Sequence, residues 1–154
     1  MTVGVGDAAP AFTLPGTSPD GSGARDYHLA EFAGRVIVLA FYPGDDTAVC
    51  TKQLTDYKAG LDTFAELDAQ VLGVSPQDLA SHERFGTKYG FGFPLLADTD
   101  KSVARAYGTL GPLGFPRRSV FIIDGDATVR YAHRAIAGLT FRPARELADV
   151  LRTL

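Results

Sequence analysis

The sequence VIVLAFYPGDDTAVCT, residues 36–51, joins a clear strand signal to the only cysteine of the chain. Its first seven residues are continuously apolar, β-branched or aromatic, which is typical of a strand buried on both faces. Downstream, apolar residues recur at helical spacing and predict one apolar stripe: Leu54, Tyr57, Leu61 and Phe64. Cys50 is therefore predicted to lie in a strand-to-helix loop or in the helix's first turn, where unpaired N–H groups favour an anion.

The segments on either side of this unit predict further strands and helices. Residues 1–34 are rich in glycine and proline, which predicts irregular chain with a hairpin around residues 18–21. The helix after the cysteine is predicted to continue to about Leu67. A strand at 70–75 and a helix over 78–89, with an aspartate at its N-cap, complete a β-α-β-α order.

The C-terminal half predicts a short helix and then a hairpin. Either Asp98 or Asp100 can cap the short helix, which is expected over residues 103–107. The strands at 119–123 and 128–133 flank an Asp-Gly-Asp turn, and we expect them to pair antiparallel.

The order of these elements predicts an α/β protein with a thioredoxin-like fold, extended at the N-terminus and by a central insertion. Pro143 is predicted to occupy the first position of a C-terminal helix, which completes that order. A length of 154 residues with 45% hydrophobic content predicts a single domain, residues 1–154.

Charge and hydropathy argue against several classes of partner. The net charge is −3 and the basic residues are scattered, so no nucleic-acid partner is expected. There is no apolar run near the roughly 18 residues of a membrane span and no leader pattern, so we expect no membrane association and a cytoplasmic location. A lone cysteine cannot form an internal disulfide, which agrees with a reducing compartment.

The chemistry that best uses Cys50 is attack by its thiolate on an O–O bond. The helix start favours the anion, and the Thr47 hydroxyl and the Cys50 N–H are available as donors to the leaving oxygen. Pro43 restrains the loop and covers one wall without adding a donor. The alternative is that Cys50 is a small buried apolar residue, but its Asp, Thr and Lys neighbours argue against that.

At these residues the chain resembles the peroxiredoxins, and within them the bacterioferritin comigratory protein group. The family signature is a proline, three residues, a threonine or serine, two residues and the peroxidatic cysteine, matched here by Pro43, Thr47 and Cys50. Further similar segments span most of the chain: residues 6–14, 73–76, 93–98 and 118–124. The resemblance implies a thioredoxin-like peroxiredoxin fold and a thiol-dependent peroxidase acting on hydrogen peroxide or organic hydroperoxides.

The resemblance also implies a role for each matched residue. Cys50 would be the peroxidatic nucleophile, Thr47 would orient the substrate, and Pro43 would shield the pocket. Arg118 would be the cation that favours the thiolate and steadies the peroxide oxygens. Strand side chains alternate, so Arg117 is expected on the opposite face and is the fallback if the register slips.

Three departures from the family pattern bear on mechanism. Ala48-Val49 stands where the family often has Pro-Gly, and Gln53 stands where the group commonly has Glu. Thr55 occupies the position of the group's usual resolving cysteine. The chain therefore looks like a one-cysteine peroxiredoxin, whose sulfenic acid is reduced by an external thiol. The expected reductant is thioredoxin, glutaredoxin or a low-molecular-weight thiol, and the protein is expected to be a monomer or a homodimer.

Two other functions are alternatives for a chain with a single cysteine. One is a redox sensor that forms mixed disulfides through Cys50, and the other is a non-catalytic thioredoxin-like binding domain. A thioredoxin-type oxidoreductase would need a second cysteine two residues from the first. We expect no cofactor and no metal, because His28, His82 and His133 share no ligand spacing.

Overall fold

The computed structural model describes residues 3–20, 22–135 and 141–154. Within these ranges the chain forms one seven-stranded mixed sheet with the strand order β2-β1-β5-β4-β3-β6-β7. The strands are β1 Thr13–Gly16, β2 Arg25–His28, β3 Val36–Phe41, β4 Ala69–Ser75, β5 Leu95–Ala97, β6 Ser119–Ile123 and β7 Val129–Arg134. The helices are α1 Ala48–Ala59, α2 Leu61–Glu66, α3 Leu79–Tyr89, α4 Ser102–Ala106 and α5 Ala144–Leu151.

Strand β3 lies inside the sheet and is buried on both faces, as its apolar run predicts. It runs parallel to β4 and antiparallel to β6, so Val38 lies opposite both Val71 and Ile122. Val38 and the other residues of its face pack under α1 and α5 in one core. Its alternate residues, such as Leu39, enter a second core on the opposite face that includes residues of α4.

The N-terminal residues add two strands to one edge of the sheet. β1 and β2 form the predicted hairpin, and β1 then pairs with β5 through Gly16 and Leu96. Gly21, at the end of the predicted turn, lies outside the described residues.

The expectation of one helix from the cysteine to Leu67 is wrong, because the helix is interrupted at Gly60. Gly60 leaves helical geometry with φ −91° and ψ 1° and separates α1 from α2. A Cβ built on Gly60 would lie 2.9 Å from the Ala144 Cβ, so the close approach of α5 requires glycine here. In the same contact the Asp56 carboxylate accepts the Ala144 N–H at 2.7 Å.

Several helix and hairpin predictions are confirmed, with shifts of one residue at element ends. The Asp78 side chain accepts the Ser81 N–H and caps α3. The Asp98 carboxylate accepts the N–H groups of Val103 and Ala104 in α4. The Asp100 carboxylate accepts the N–H of Ser102, the first residue of α4, so both candidates cap this helix. Strands β6 and β7 pair antiparallel, whereas Pro143 precedes α5 as its N-cap rather than occupying its first position.

None of the helices in the described part of the chain is long and apolar enough to span a bilayer.

Candidate active site

Cys50 is the third residue of α1, in the order strand β3, loop, helix α1. Thr47 is the N-cap, in extended geometry, and the first intrahelical bond runs from the Thr51 N–H to the Thr47 carbonyl. The Cys50 N–H therefore belongs to the first turn, where backbone donors have no intrahelical acceptor. Both the position of the cysteine and the strand-to-helix unit agree with the sequence prediction.

The thiol is fully buried, which the polar neighbours of Cys50 did not predict. Cys50 has 0% exposure and lies in the core with Leu54 and Tyr57. Thr47 and Ala48 remain exposed on the outer side of the same turn. The helix start thus turns the cysteine toward the sheet and its polar neighbours toward solvent.

Arg118 contacts the sulfur although 68 positions separate the two residues in the chain. It precedes β6, is 4% exposed, and donates from Nη1 to Cys50 Sγ at 3.1 Å. The same nitrogen donates to Gln53 Oε1 at 2.9 Å. Arg117 is exposed whereas Arg118 is buried, and both precede β6, which begins at Ser119.

Gln53 and Tyr57 continue this contact into a buried hydrogen-bond chain. Gln53, 1% exposed, donates from Nε2 to the Tyr57 hydroxyl at 3.1 Å, and that hydroxyl donates to the Arg142 carbonyl at 2.9 Å. Burial raises the pKa of Tyr57 well above its usual range, so the phenol stays protonated. These hydrogen bonds hold the Gln53 side-chain carbonyl oxygen against Arg118.

Sequence reasoning noted Gln53 only as a departure and Tyr57 only as an apolar-stripe residue. Cys50, Gln53 and Tyr57 follow one another at helical spacing of three and four residues. A glutamine on an otherwise apolar helix face was the signal that could have indicated a buried polar contact.

Thr47 and Pro43 lie next to the thiol in the chain, but the described hydrogen bonds do not join the threonine hydroxyl to the sulfur. Thr47 Oγ1 donates to the Gly44 carbonyl at 3.2 Å and so closes the loop on itself. Pro43 is partly buried, two residues after the end of β3. Of the four predicted site residues, the structure brings Cys50 and Arg118 into direct contact.

The loop before α1 is also tied to α3 through Asp46. Its carboxylate accepts from Lys88 Nζ at 2.8 Å and from the Tyr89 hydroxyl at 2.9 Å. The hydrogen bond from Lys88, with that from Tyr89, lowers the pKa of Asp46. Asp46 has φ +56°, a left-handed conformation that aspartate tolerates better than most residues. These contacts fix the loop directly before the N-cap of α1.

Among the described residues, no three His, Cys, Asp or Glu side chains are grouped so as to hold a metal ion.

Comparison with known proteins gives the family. The model of the AhpC/TSA family matches residues 5–132. The chain belongs to this peroxiredoxin family. It is 34% identical to the chloroplastic peroxiredoxin Q of Oryza sativa subsp. japonica over 154 residues, covering 99% of this chain and 67% of the rice protein.

Solved peroxiredoxins show the same fold. Xanthomonas campestris peroxiredoxin Q superposes with a TM-score of 0.80 at 30% identity, over 92% of this chain and 90% of that one. Reduced Plasmodium vivax 2-Cys peroxiredoxin superposes with a TM-score of 0.88 at 26% identity, over 96% of this chain and 80% of that one. The predicted thioredoxin-like fold is confirmed, and as a peroxiredoxin the protein is a thiol-dependent peroxidase.

Proposed function

We propose that this peroxiredoxin reduces hydrogen peroxide or organic hydroperoxides by a one-cysteine mechanism, with Cys50 as the peroxidatic nucleophile. The observation that carries the proposal is the 3.1 Å contact between Arg118 Nη1 and Cys50 Sγ. A permanently charged guanidinium favours the thiolate over the thiol. The low exposure of both residues strengthens that interaction, because water screens it little.

In the first step the Cys50 thiolate attacks one oxygen of the peroxide. An S–O bond forms, the O–O bond breaks with its electron pair on the leaving oxygen, and a proton converts that oxygen to water or an alcohol. Cys50 becomes a sulfenic acid. Negative charge develops on the leaving oxygen, and Arg118 and the Cys50 N–H supply donors for it. Thr47 joins them once its hydroxyl turns from Gly44, and Pro43 covers the site.

In the second step an external thiol reduces the sulfenic acid. The thiol sulfur bonds to Cys50 Sγ and releases water, and a second thiol then displaces Cys50 from the mixed disulfide. The support for an external thiol is that the whole sequence contains one cysteine and has Thr55 at the usual resolving position. Because Cys50 has no exposed surface, a reductant reaches it after the first turn of α1 opens.

We also place the chain in the bacterioferritin comigratory protein group and in a reducing compartment such as the cytoplasm. The segments at residues 6–14 and 93–98 support the group. The lone cysteine supports the compartment.

The proposal is tested by mixing the reduced protein with one equivalent of hydrogen peroxide in the presence of a sulfenic-acid trap. Mass spectrometry should find one adduct, on Cys50, formed far faster than with free cysteine. The Cys50→Ser variant should form none. Turnover with dithiothreitol as the external thiol would then support the one-cysteine cycle. A reaction no faster than that of free cysteine would refute the proposed function.

A further inference from the structure

The Asp45 carboxylate, in the loop that leads to Cys50, is buried and receives three side chains. Its side chain is 5% exposed. The Tyr42 hydroxyl donates to Oδ1 at 2.7 Å and the Ser81 hydroxyl donates to Oδ2 at 2.6 Å. The third contact is His82 Nδ1, which lies 2.8 Å from Oδ2. All three partner groups can donate to the carboxylate oxygens.

His82 faces an acceptor on each side of its ring. It is fully buried, and its Nε2 lies 3.0 Å from the Leu96 carbonyl oxygen. A carbonyl only accepts, so Nε2 carries a proton. Nδ1 faces an oxygen of the Asp45 carboxyl group at 2.8 Å. Two N–H donors on the ring fit both contacts, which is the arrangement of a buried imidazolium–carboxylate pair.

The other groups around the pair leave this assignment intact. Burial, together with the Asp45 charge, raises the pKa of Tyr42 well above its usual range, so Tyr42 remains a donor. The Asp45 N–H is also bound, by Gln77 Oε1 at 2.8 Å. The carboxylate thus has no other cation among its described partners to balance its charge.

The ion pair joins the loop to two separate elements of the fold. His82 belongs to α3, and its second hydrogen bond reaches β5 at Leu96. Asp45 lies two residues before Thr47, the N-cap of α1. Whatever holds Asp45 therefore also sets where α1 begins and where the Cys50 N–H and Thr47 hydroxyl lie.

We propose that His82 is a positioning residue for the peroxide reaction, acting as an imidazolium that holds Asp45 and thereby fixes the loop before Cys50. This inference rests on the proposed function. His82 touches neither the thiol nor a substrate; it acts through Asp45.

The charge state is tested by nitrogen NMR on protein labelled with ¹⁵N-histidine. The chain contains three histidines, so single substitutions of His28 and His133 assign the His82 signals. Both ring nitrogens of His82 should show the shifts of a protonated imidazolium at pH 7. A neutral tautomer would overturn the inference, whatever the activity.

The positioning role is tested with His82→Asn and His82→Gln. The side-chain amide of asparagine can place an N–H where Nδ1 lies and so keep the bond to Asp45. Glutamine can place one only where Nε2 lies and keeps the bond to Leu96. The rate constant for Cys50 oxidation by hydrogen peroxide should fall by about tenfold or more in His82→Gln, the loss expected for one hydrogen bond to a charged group. His82→Asn restores the hydrogen bond but not the charge, so its rate constant should lie between those of His82→Gln and the wild type.

A purely structural role predicts the opposite order, because asparagine leaves the larger cavity. Equal rates for the two variants, or a slower Asn variant, would overturn the inference. Asp149→Asn is the control, since Asp149 is a carboxylate on α5 whose side chain is 75% exposed, and it should keep the wild-type rate. A wild-type rate no better than that of free cysteine would refute the proposed function itself.

Discussion

Replacing Arg118 with alanine removes the cation beside the sulfur and is the most direct perturbation of the site. The lost contacts are the 3.1 Å donation to Cys50 Sγ and the 2.9 Å donation to Gln53 Oε1. The substitution shortens a buried side chain at the start of β6. We expect a folded protein whose sulfur has lost its cationic donor and therefore reacts more slowly with peroxide.

The size of the effect follows from the geometry. A hydrogen bond to a charged group is worth about 1.5–3 kcal/mol, and roughly 1.4 kcal/mol corresponds to a factor of ten. Two unit charges 3.1 Å apart interact by about 5 kcal/mol at an effective dielectric constant of about 20, which sets an upper limit. The rate constant for Cys50 oxidation should therefore fall by at least about tenfold and by no more than a few thousandfold.

The rate is measured by rapid quench, because the chain has no tryptophan to report the reaction by fluorescence. Reduced protein is mixed with excess hydrogen peroxide, quenched with an alkylating agent and analysed by mass spectrometry for unreacted Cys50. Arg117→Ala is the matched control: it removes the neighbouring exposed arginine and should stay within about twofold of the wild type. An Arg118→Ala rate close to wild type, or an equal loss in both variants, would refute the reasoning.

Two further substitutions test the contacts that support the site and the fold. Gln53→Leu keeps the side-chain volume but removes the acceptor for Arg118. Because the buried guanidinium loses that partner, the free energy of unfolding should fall by about 1–3 kcal/mol. Urea unfolding measures this loss, and peroxide oxidation of Cys50 should also slow; unchanged stability would contradict the buried contact. Asp98→Ala removes two bonds, from the Val103 and Ala104 N–H groups. Asp98→Ala should lower the free energy of unfolding by about 1–2 kcal/mol, as the loss of other helix caps does, and should leave the rate of Cys50 oxidation unchanged. A loss of rate without a loss of stability would place Asp98 in the reaction instead.

Local patterns in the sequence predicted most of the elements. The apolar run of β3 identified a strand buried on both faces, and Asp78 marked the start of α3. The Asp-Gly-Asp turn identified the β6–β7 hairpin. Each of these signals comes from neighbouring residues whose backbone preferences and hydrogen bonds are local.

The break at Gly60 and the burial of Cys50 were not predicted, because each depends on a distant part of the chain. Gly60 ends α1 where Ala144 packs within 2.9 Å of the place a Cβ would occupy. The polar residues around Cys50 argued against a buried cysteine, and only the docking of α1 on the sheet turns the thiol inward.

The sequence by itself determined the strand-to-helix unit around Cys50, and its resemblance to the peroxiredoxins assigned Arg118 rather than Arg117 to the thiol. Only the tertiary structure decided that Arg118 contacts the sulfur and that His82 pairs with Asp45, 37 positions away. The reason is that hydrogen bonds and ion pairs depend on distances of a few ångströms. Local periodicity sets the face on which a side chain lies, whereas the packing of whole elements sets what that face meets.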